Sequence, residues 1–368
     1  MNRRIHCIVG ARPNFVKIGP ILRALARHDR FAARLIHTGQ HYDVEMSRAF
    51  FEDLEIPEPD RHLEVGSGSH AVQTARIMER YEPLLIEERP DLVLVVGDVN
   101  STLACSLVAS KLGVTVAHVE AGLRSFDRTM PEEINRLLTD QIAELLFITC
   151  RDAETNLRRE GIPPERIHFV GNVMIDSLLE SLPLAASRRT PARFDLEGKT
   201  FAVATIHRPS NVDEAAGLER VIAILRGIGA LLPIVFPVHP RTEARAQQLG
   251  LIEPLRTVPG LIATPPLRYL EFQDLMRQAC LVLTDSGGIQ EETTVLGIPC
   301  LTLRPNTERP ITVTEGTNRV VGTVPATVIG AAREVLDRPR PKQPPVIELW
   351  DGHAAERIAA VLEAGLAR

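Results

Sequence analysis

No two of the five cysteines are spaced as CxxC; Cys7, Cys105, Cys150, Cys280 and Cys300 are scattered and odd in number. That excludes a disulfide framework and points to reduced, buried thiols in a cytoplasmic protein. Long apolar runs are also missing. The N-terminal run ends at Gly10, too soon for a signal peptide, and no other segment reaches membrane-spanning length. Charge of one sign is not in excess: a net −5 and a pI near 6.2 argue against a nucleic-acid or membrane-surface binder. A basic patch facing a single anionic ligand stays compatible with them. The eleven histidines show no HExxH, and no metal site is expected. GxSxG is absent, which removes an α/β-hydrolase. His118-Val119-Glu120 has the HxE form of zinc deaminases, but Pro299-Cys300 runs on as Leu-Thr-Leu without the required second cysteine. What remains is a chain of 368 residues, 44% hydrophobic and 24% charged, too long for one core and sized for two domains.

The most informative stretch is Leu281-Val282-Leu283-Thr284-Asp285-Ser286-Gly287-Gly288-Ile289-Gln290-Glu291-Glu292. It opens as a buried parallel strand. Asp285 and Ser286 are both good N-cap residues, and a glycine pair lets a ligand approach the backbone. A helix is predicted over Ile289–Leu296, stopped by Gly297 and Pro299. Strand, small-residue turn and helix N-terminus make an anion site, because unpaired N–H groups and the helix dipole point to one place. Glu292, one turn on, is placed to accept hydrogen bonds from a ribose diol. An ordinary glycine-containing βα turn would look the same, so the rest of the chain has to decide.

Ile5–Val9 reads as a buried strand broken by Gly10-Ala11-Arg12-Pro13, with a helix following to about Arg27. Further strands are predicted at Phe31–Thr38, Asp91–Val96 and Val114–Val119, with helices over Glu132–Leu145 and Asp152–Gly161. Loss of periodicity and a gathering of Pro, Arg and Gly suggest a linker near Gly171–Lys199. A second series runs through Phe201–Thr205, Pro233–Val238, Gly260–Ala263, Leu281–Thr284 and Pro299–Leu303. Asp337–Pro345 reads as a stiff proline-rich spacer before a last helix. Such alternation predicts doubly wound parallel sheets, whose ligands sit beyond the carboxyl ends of the strands. Arg12, His41, Asp98, Glu120, His207, His239 and Ser286 collect there, which makes a cleft between two facing domains the natural site. Asp98 and Glu120 follow two apolar strands and read as functional; for Glu133 a helix-dipole role is preferred. His207-Arg208 can set positive charge against a phosphate.

Several short motifs run in order along the chain: Gly10-Ala11-Arg12-Pro13 with Lys17, His37-Thr38-Gly39-Gln40-His41, Gly97-Asp98, and His118-Val119-Glu120-Ala121-Gly122-Leu123-Arg124. They continue with Pro131-Glu132-Glu133, Asn135-Arg136, Gly171-Asn172, His207-Arg208, Pro237-Val238-His239-Pro240, the Gly-Gly stretch and Thr307-Glu308-Arg309-Pro310. In these motifs together the chain resembles the non-hydrolysing UDP-N-acetylglucosamine 2-epimerase family. The resemblance implies two Rossmann-like doubly wound parallel-sheet domains of the GT-B type, 1–172 and 173–351, with a final helix at about 352–368 crossing back. It further implies a homodimer acting on a UDP-sugar, with no cofactor, no nucleic acid and no membrane. Arg12, Lys17, Phe272, Ser286, Gly287, Gly288, Glu292 and Arg309 would hold UDP. His207 would act with them, and Asp98, Glu120 and Glu132 would be the acid/base carboxylates. Regulatory contacts would fall on Gln40, His41 and His239. The family's usual Thr and Glu around the first Arg-Pro are Ala11 and Asn14 here. The expected activity is C2 epimerisation of UDP-N-acetylglucosamine by elimination and re-addition of UDP. A hydrolysing epimerase, a 2-epimerase of UDP-diacetamido-uronic acids and a GT-B glycosyltransferase are the rivals.

Overall fold

The computed structural model describes residues 2–39, 51–338 and 343–365, without the side chain of Arg12. Gln40 and His41, expected regulatory contacts, lie outside the described residues, as do 339–342 of the expected spacer. The chain divides into two compact units, Met1–Glu180 with Glu348–Arg368, and Ser181–Ile347.

The first unit holds strands β1 (Arg3–Val9), β2 (Phe31–His37), β3 (Arg61–His62), β4 (Leu92–Val96), β5 (Thr115–Ala121), β6 (Leu145–Ile148) and β7 (Ile167–Phe169). They form one parallel sheet in the order β3-β2-β1-β4-β5-β6-β7. Between them run helices α1 (Arg12–Ala26), α2 (His70–Glu88), α3 (Asn100–Lys111), α4 (Pro131–Ile142) and α5 (Arg151–Arg159). Strands buried on both faces need continuous apolar sequence, and Leu92–Val96 is buried throughout. Strand order reverses between β1 and β4, the switch point where such sheets bind ligands.

Helix α6 (Val173–Ala186) occupies the first half of the stretch read as a linker, and the division between units falls within it. Val173, Met174, Ile175 and Leu178 are buried, and that apolar stripe outweighs the single backbone hydrogen bond that Pro183 removes.

The second unit repeats the plan with β8 (Ala202–Thr205), β9 (Ile234–Pro237), β10 (Leu261–Thr264), β11 (Leu281–Thr284), β12 (Cys300–Thr302) and β13 (Asn318–Val320), ordered β10-β9-β8-β11-β12-β13. Its helices are α7 (Pro209–Val212), α8 (Ala215–Gly229), α9 (Pro240–Gln248), α10 (Ile252–Arg256), α11 (Tyr269–Gln278), α12 (Gly287–Val295), α13 (Ile311–Thr314) and α14 (Pro325–Leu336). Side chains alternate between two cores: Ala202, Ile234, Phe236, Leu281 and Leu283 serve one face, and Val203, Val235 and Val282 the other. The order reverses again, here between β8 and β11.

The last helix, α15 (Ala354–Gly365), belongs to the first unit and packs on α1. Asp176 of α6 accepts hydrogen bonds from the backbone N–H of Ala354 (3.2 Å) and Ala355 (2.7 Å), capping α15, and burial pushes its carboxyl up to about 6. Trp350 donates its indole N–H to the Thr149 carbonyl at 2.9 Å. Cys7, Cys105, Cys150 and Cys300 are buried thiols, and no described helix is long and apolar enough to cross a membrane.

Candidate active site

Each unit carries a polar cluster at its own switch point. In the first, Asn14 ties the reversed strands together. Its side-chain oxygen accepts from the N–H of Gly10 and Ala11, both at 3.0 Å, and its amide donates to the Val96 carbonyl at 2.9 Å. A glutamate there could not donate to that carbonyl. Pro13 and Arg12 start α1, and one turn on its buried Lys17 forms an ion pair with the buried Glu120.

Glu120 lies inside β5, at a register irregularity between Val119 and Ala121, with φ +72°. A non-glycine residue in the left-handed region costs of order 1–3 kcal/mol and persists where surrounding contacts hold it. Here the bulge turns its carboxylate toward the end of β4. A Cβ at Gly97 would sit 3.4 Å from Glu120 Oε2 and 2.9 Å from Lys17 Nζ, and Gly97 itself has φ +70°, so glycine is required on two counts. Asp98 follows at once, its side chain 27% exposed, and accepts from Arg136 Nη1. Asn135 donates to the Asp98 carbonyl at 2.9 Å, which fixes the first turns of α4 and the half-buried Glu132 against this loop. Val99, not Asp98, occupies the N-cap position of α3.

Glu133 is structural. It accepts from Ser125 N (3.0 Å), Phe126 N (2.9 Å) and Arg136. Burial alone would raise its carboxyl, but these donors hold it below the usual carboxylate range.

Beneath the cluster, His118 directs Nε2 at the Gly97 carbonyl (2.7 Å) and Nδ1 at Asp140 Oδ1 (2.6 Å), while Asp140 Oδ2 accepts from Gly122 N (3.0 Å) and Arg124 Nη2 (2.7 Å). All of these side chains are buried, and together they lock the loop ends that carry Asp98 and Glu120. His118 is therefore a brace, with both ring nitrogens engaged by protein partners.

In the second unit the tie is Asp285. It is fully buried and does not cap α12. Its carboxylate accepts from His207 N (3.0 Å), Arg208 N (2.9 Å) and Asn211 Nδ2 (2.9 Å), joining the ends of β8 and β11. Ser286 takes the N-cap position without a side-chain bond to the helix, and Gly287 and Gly288 form its first turn. The first N–H groups of a helix have no partner within it and favour an anion. A Cβ at Gly287 would fall 2.4 Å from Arg309 Nη1, so the guanidinium lies directly beside this turn. His207 is 35% exposed and stacks on His239, with centroids 4.9 Å apart. His239 Nδ1 accepts from Arg241 N at 3.1 Å and caps α9. Phe272 sits in the first turn of α11, packed at the edge of the core. Glu292 faces inward from α12, accepting from Gln273 Nε2 at 2.8 Å and from Tyr269 at 3.5 Å. Burial pushes it up to about 8.

The first unit thus gathers Lys17, Asp98, Glu120 and Glu132, and the second gathers His207, His239, Ser286, Gly287, Gly288 and Arg309. Sequence reasoning missed Asn14, Asp140 and Asp285 as ties. Their partners lie mostly just beyond the ends of β1, β5 and β8, and only their own position beside a buried strand marks them.

The family model for UDP-N-acetylglucosamine 2-epimerase matches residues 23–363. The chain belongs to that family. It is 42% identical over 370 residues to the UDP-N-acetylglucosamine 2-epimerase of Methanocaldococcus jannaschii, covering 98% of this chain and 99% of that one. It is 41% identical over 338 residues to the UDP-2,3-diacetamido-2,3-dideoxy-D-glucuronate 2-epimerase of Pseudomonas aeruginosa, covering 91% and 93%. The crystal structure of the Methanocaldococcus jannaschii enzyme, a complex with UDP-GlcNAc and UDP, superimposes with a TM-score of 0.90 at 42% identity over 98% of this chain and 100% of that one. Family membership and the two parallel sheets agree with the GT-B-type expectation.

Proposed function

We propose that the chain interconverts UDP-N-acetylglucosamine and UDP-N-acetylmannosamine at C2 without net hydrolysis. The observation that carries this reading is Glu120, a buried carboxylate held in a left-handed backbone, paired with Lys17 and set beside Gly97-Asp98. Strained, paired carboxylates at a switch point suit proton transfer better than scaffolding.

The proton at C2 of an N-acetylhexosamine has no neighbouring carbonyl and is not acidic. Breaking the C1–O bond sends its electron pair away with UDP and leaves positive charge on the ring, which acidifies C2–H. A carboxylate among Asp98, Glu120 and Glu132 takes that proton and leaves a C1=C2 double bond. Another group returns a proton to the opposite face, and UDP adds back to C1. The heaviest task is stabilising the departing diphosphate, which falls to the α12 N-terminus with Ser286, Gly287, Gly288, His207 and Arg309. Phe272 would flank uracil and Glu292 the ribose. Water must be kept from the intermediate, or the sugar is lost.

The test is product analysis with UDP-N-acetylglucosamine. A gluco/manno mixture of UDP-sugars without free N-acetylmannosamine is expected, whereas free sugar and UDP in equal amounts would make the chain a hydrolysing enzyme. A second reading, epimerisation of a UDP-2,3-diacetamido-uronic acid, is favoured by the likeness to the Pseudomonas aeruginosa protein. Comparing kcat/KM for the two substrates separates them.

A further inference from the structure

Buried charges crowd the first turn of α12. Glu308 is 3% exposed, and three arginines converge on it. Its Oε1 meets Arg309 Nη1 at 2.7 Å and Arg208 Nη2 at 3.4 Å, and its Oε2 meets Arg304 Nη1 at 2.8 Å. Glu291 lies 3.0 Å from Arg309 Nε, and the buried carboxylate of Asp285 accepts from the Arg208 backbone N–H at 2.9 Å. Glu308 is the carboxylate on which all three guanidinium groups converge. Burial lowers Arg304 from its ordinary value, so this charge is costly to hold. The Arg304–Glu308 and Arg309–Glu291 pairs bring opposite charges together without the alignment of a hydrogen bond at Arg304 Nη1 and Arg309 Nε. A Cβ on Gly287 would lie 2.8 Å from Glu308 Oε1, so the carboxylate packs directly against the first turn of α12.

We infer that Glu308 is an internal counter-anion, holding in the free protein the charge position that a bound diphosphate takes over. This rests on reading the α12 N-terminus as the diphosphate site. Binding would transfer Arg309, and with it Arg208, from Glu308 to phosphate oxygens while Arg304 keeps the carboxylate in place. Glu308 therefore weakens product and substrate binding. For an enzyme that must both hold and re-add its diphosphate, that moderation keeps the detached group from becoming too stable. If Glu308 served only to aim the arginines, removing its charge would weaken binding.

The probe is inorganic pyrophosphate, measured by calorimetry on the full-length wild type and on Glu308→Gln. Removing one negative charge at this range should tighten pyrophosphate binding by about tenfold. Equal or weaker binding by the variant, or no binding by either form, would overturn the inference. A crystal of the wild-type protein with pyrophosphate tests it without any variant. Arg309 Nη1 should leave Glu308 Oε1 for a phosphate oxygen, and pyrophosphate seated with the 2.7 Å contact intact would overturn it. Should pyrophosphate behave as expected while UDP-sugars are not turned over, the counter-anion stands and the assigned reaction falls.

Discussion

Replacing Glu292 by Gln keeps the size of the side chain and removes its titration, so the pH dependence of stability isolates this one group. In the folded protein burial pushes the carboxyl up to about 8, from an ordinary value of 4.5. Between those two pH values the folded state retains a proton that the unfolded chain has lost. The contribution of Glu292 is thus fully present below about pH 4.5 and is lost as pH rises through 8. The slope is about 1.4 kcal/mol per pH unit, or about 3 kcal/mol between pH 5 and 7.5. Asp176, also raised, titrates alike in both proteins and cancels in the difference. Urea unfolding across this range should show Glu292→Gln gaining on the wild type by that amount as pH increases. Parallel profiles, or a variant that loses ground with rising pH, would refute the assignment of a buried, neutral carboxyl. A ribose diol donating to the carboxylate should also draw the proton off. UDP binding near neutral pH should then release a proton, read as a dependence of the calorimetric heat on the buffer's ionisation enthalpy.

Asp98→Asn should abolish turnover while UDP affinity, measured by calorimetry, changes less than about threefold; weakened UDP binding with normal turnover would show a binding role instead. Asp140→Asn strips His118 and Arg124 of their shared buried counter-charge and should cost about 3–5 kcal/mol in denaturant unfolding. Gly171→Ala forces a side chain to within 2.0 Å of the Leu349 carbonyl at φ +90°, so the segment Glu348–Arg368 should become sensitive to limited proteolysis.

How far the sequence reached depends on how local the cause is. Leu281–Thr284 followed by Ser286-Gly287-Gly288 was legible because the apolar run, the small-residue turn and the helix start are adjacent in the chain. The same holds for Ile5–Val9 with Pro13. Alternation alone predicted the parallel sheets and set Asp98, Glu120, His207 and Ser286 at the carboxyl ends of their strands, whereas the strand order that defines the two switch points depends on which strands pair. Asp285 was misread as a cap because its partners lie 74 to 78 residues earlier, and nothing nearby competes with the local reading. The bulge that carries Glu120 into the left-handed region is likewise a tertiary effect, enforced by Lys17 and the strand ends. Helix α6 reads as a linker in the sequence because Pro183 and the Arg-rich run after it obscure the apolar stripe before them. Two-residue β3 is too short to leave any periodicity.

The central claim, that the stereocentre inverts while the nucleotide is detached, is tested most directly by NMR of UDP-N-acetylglucosamine incubated with the protein in deuterated water. The account predicts deuterium at C2 together with a gluco/manno mixture of UDP-sugars. Epimerisation that retains the original proton at C2, or an unchanged spectrum, would contradict it.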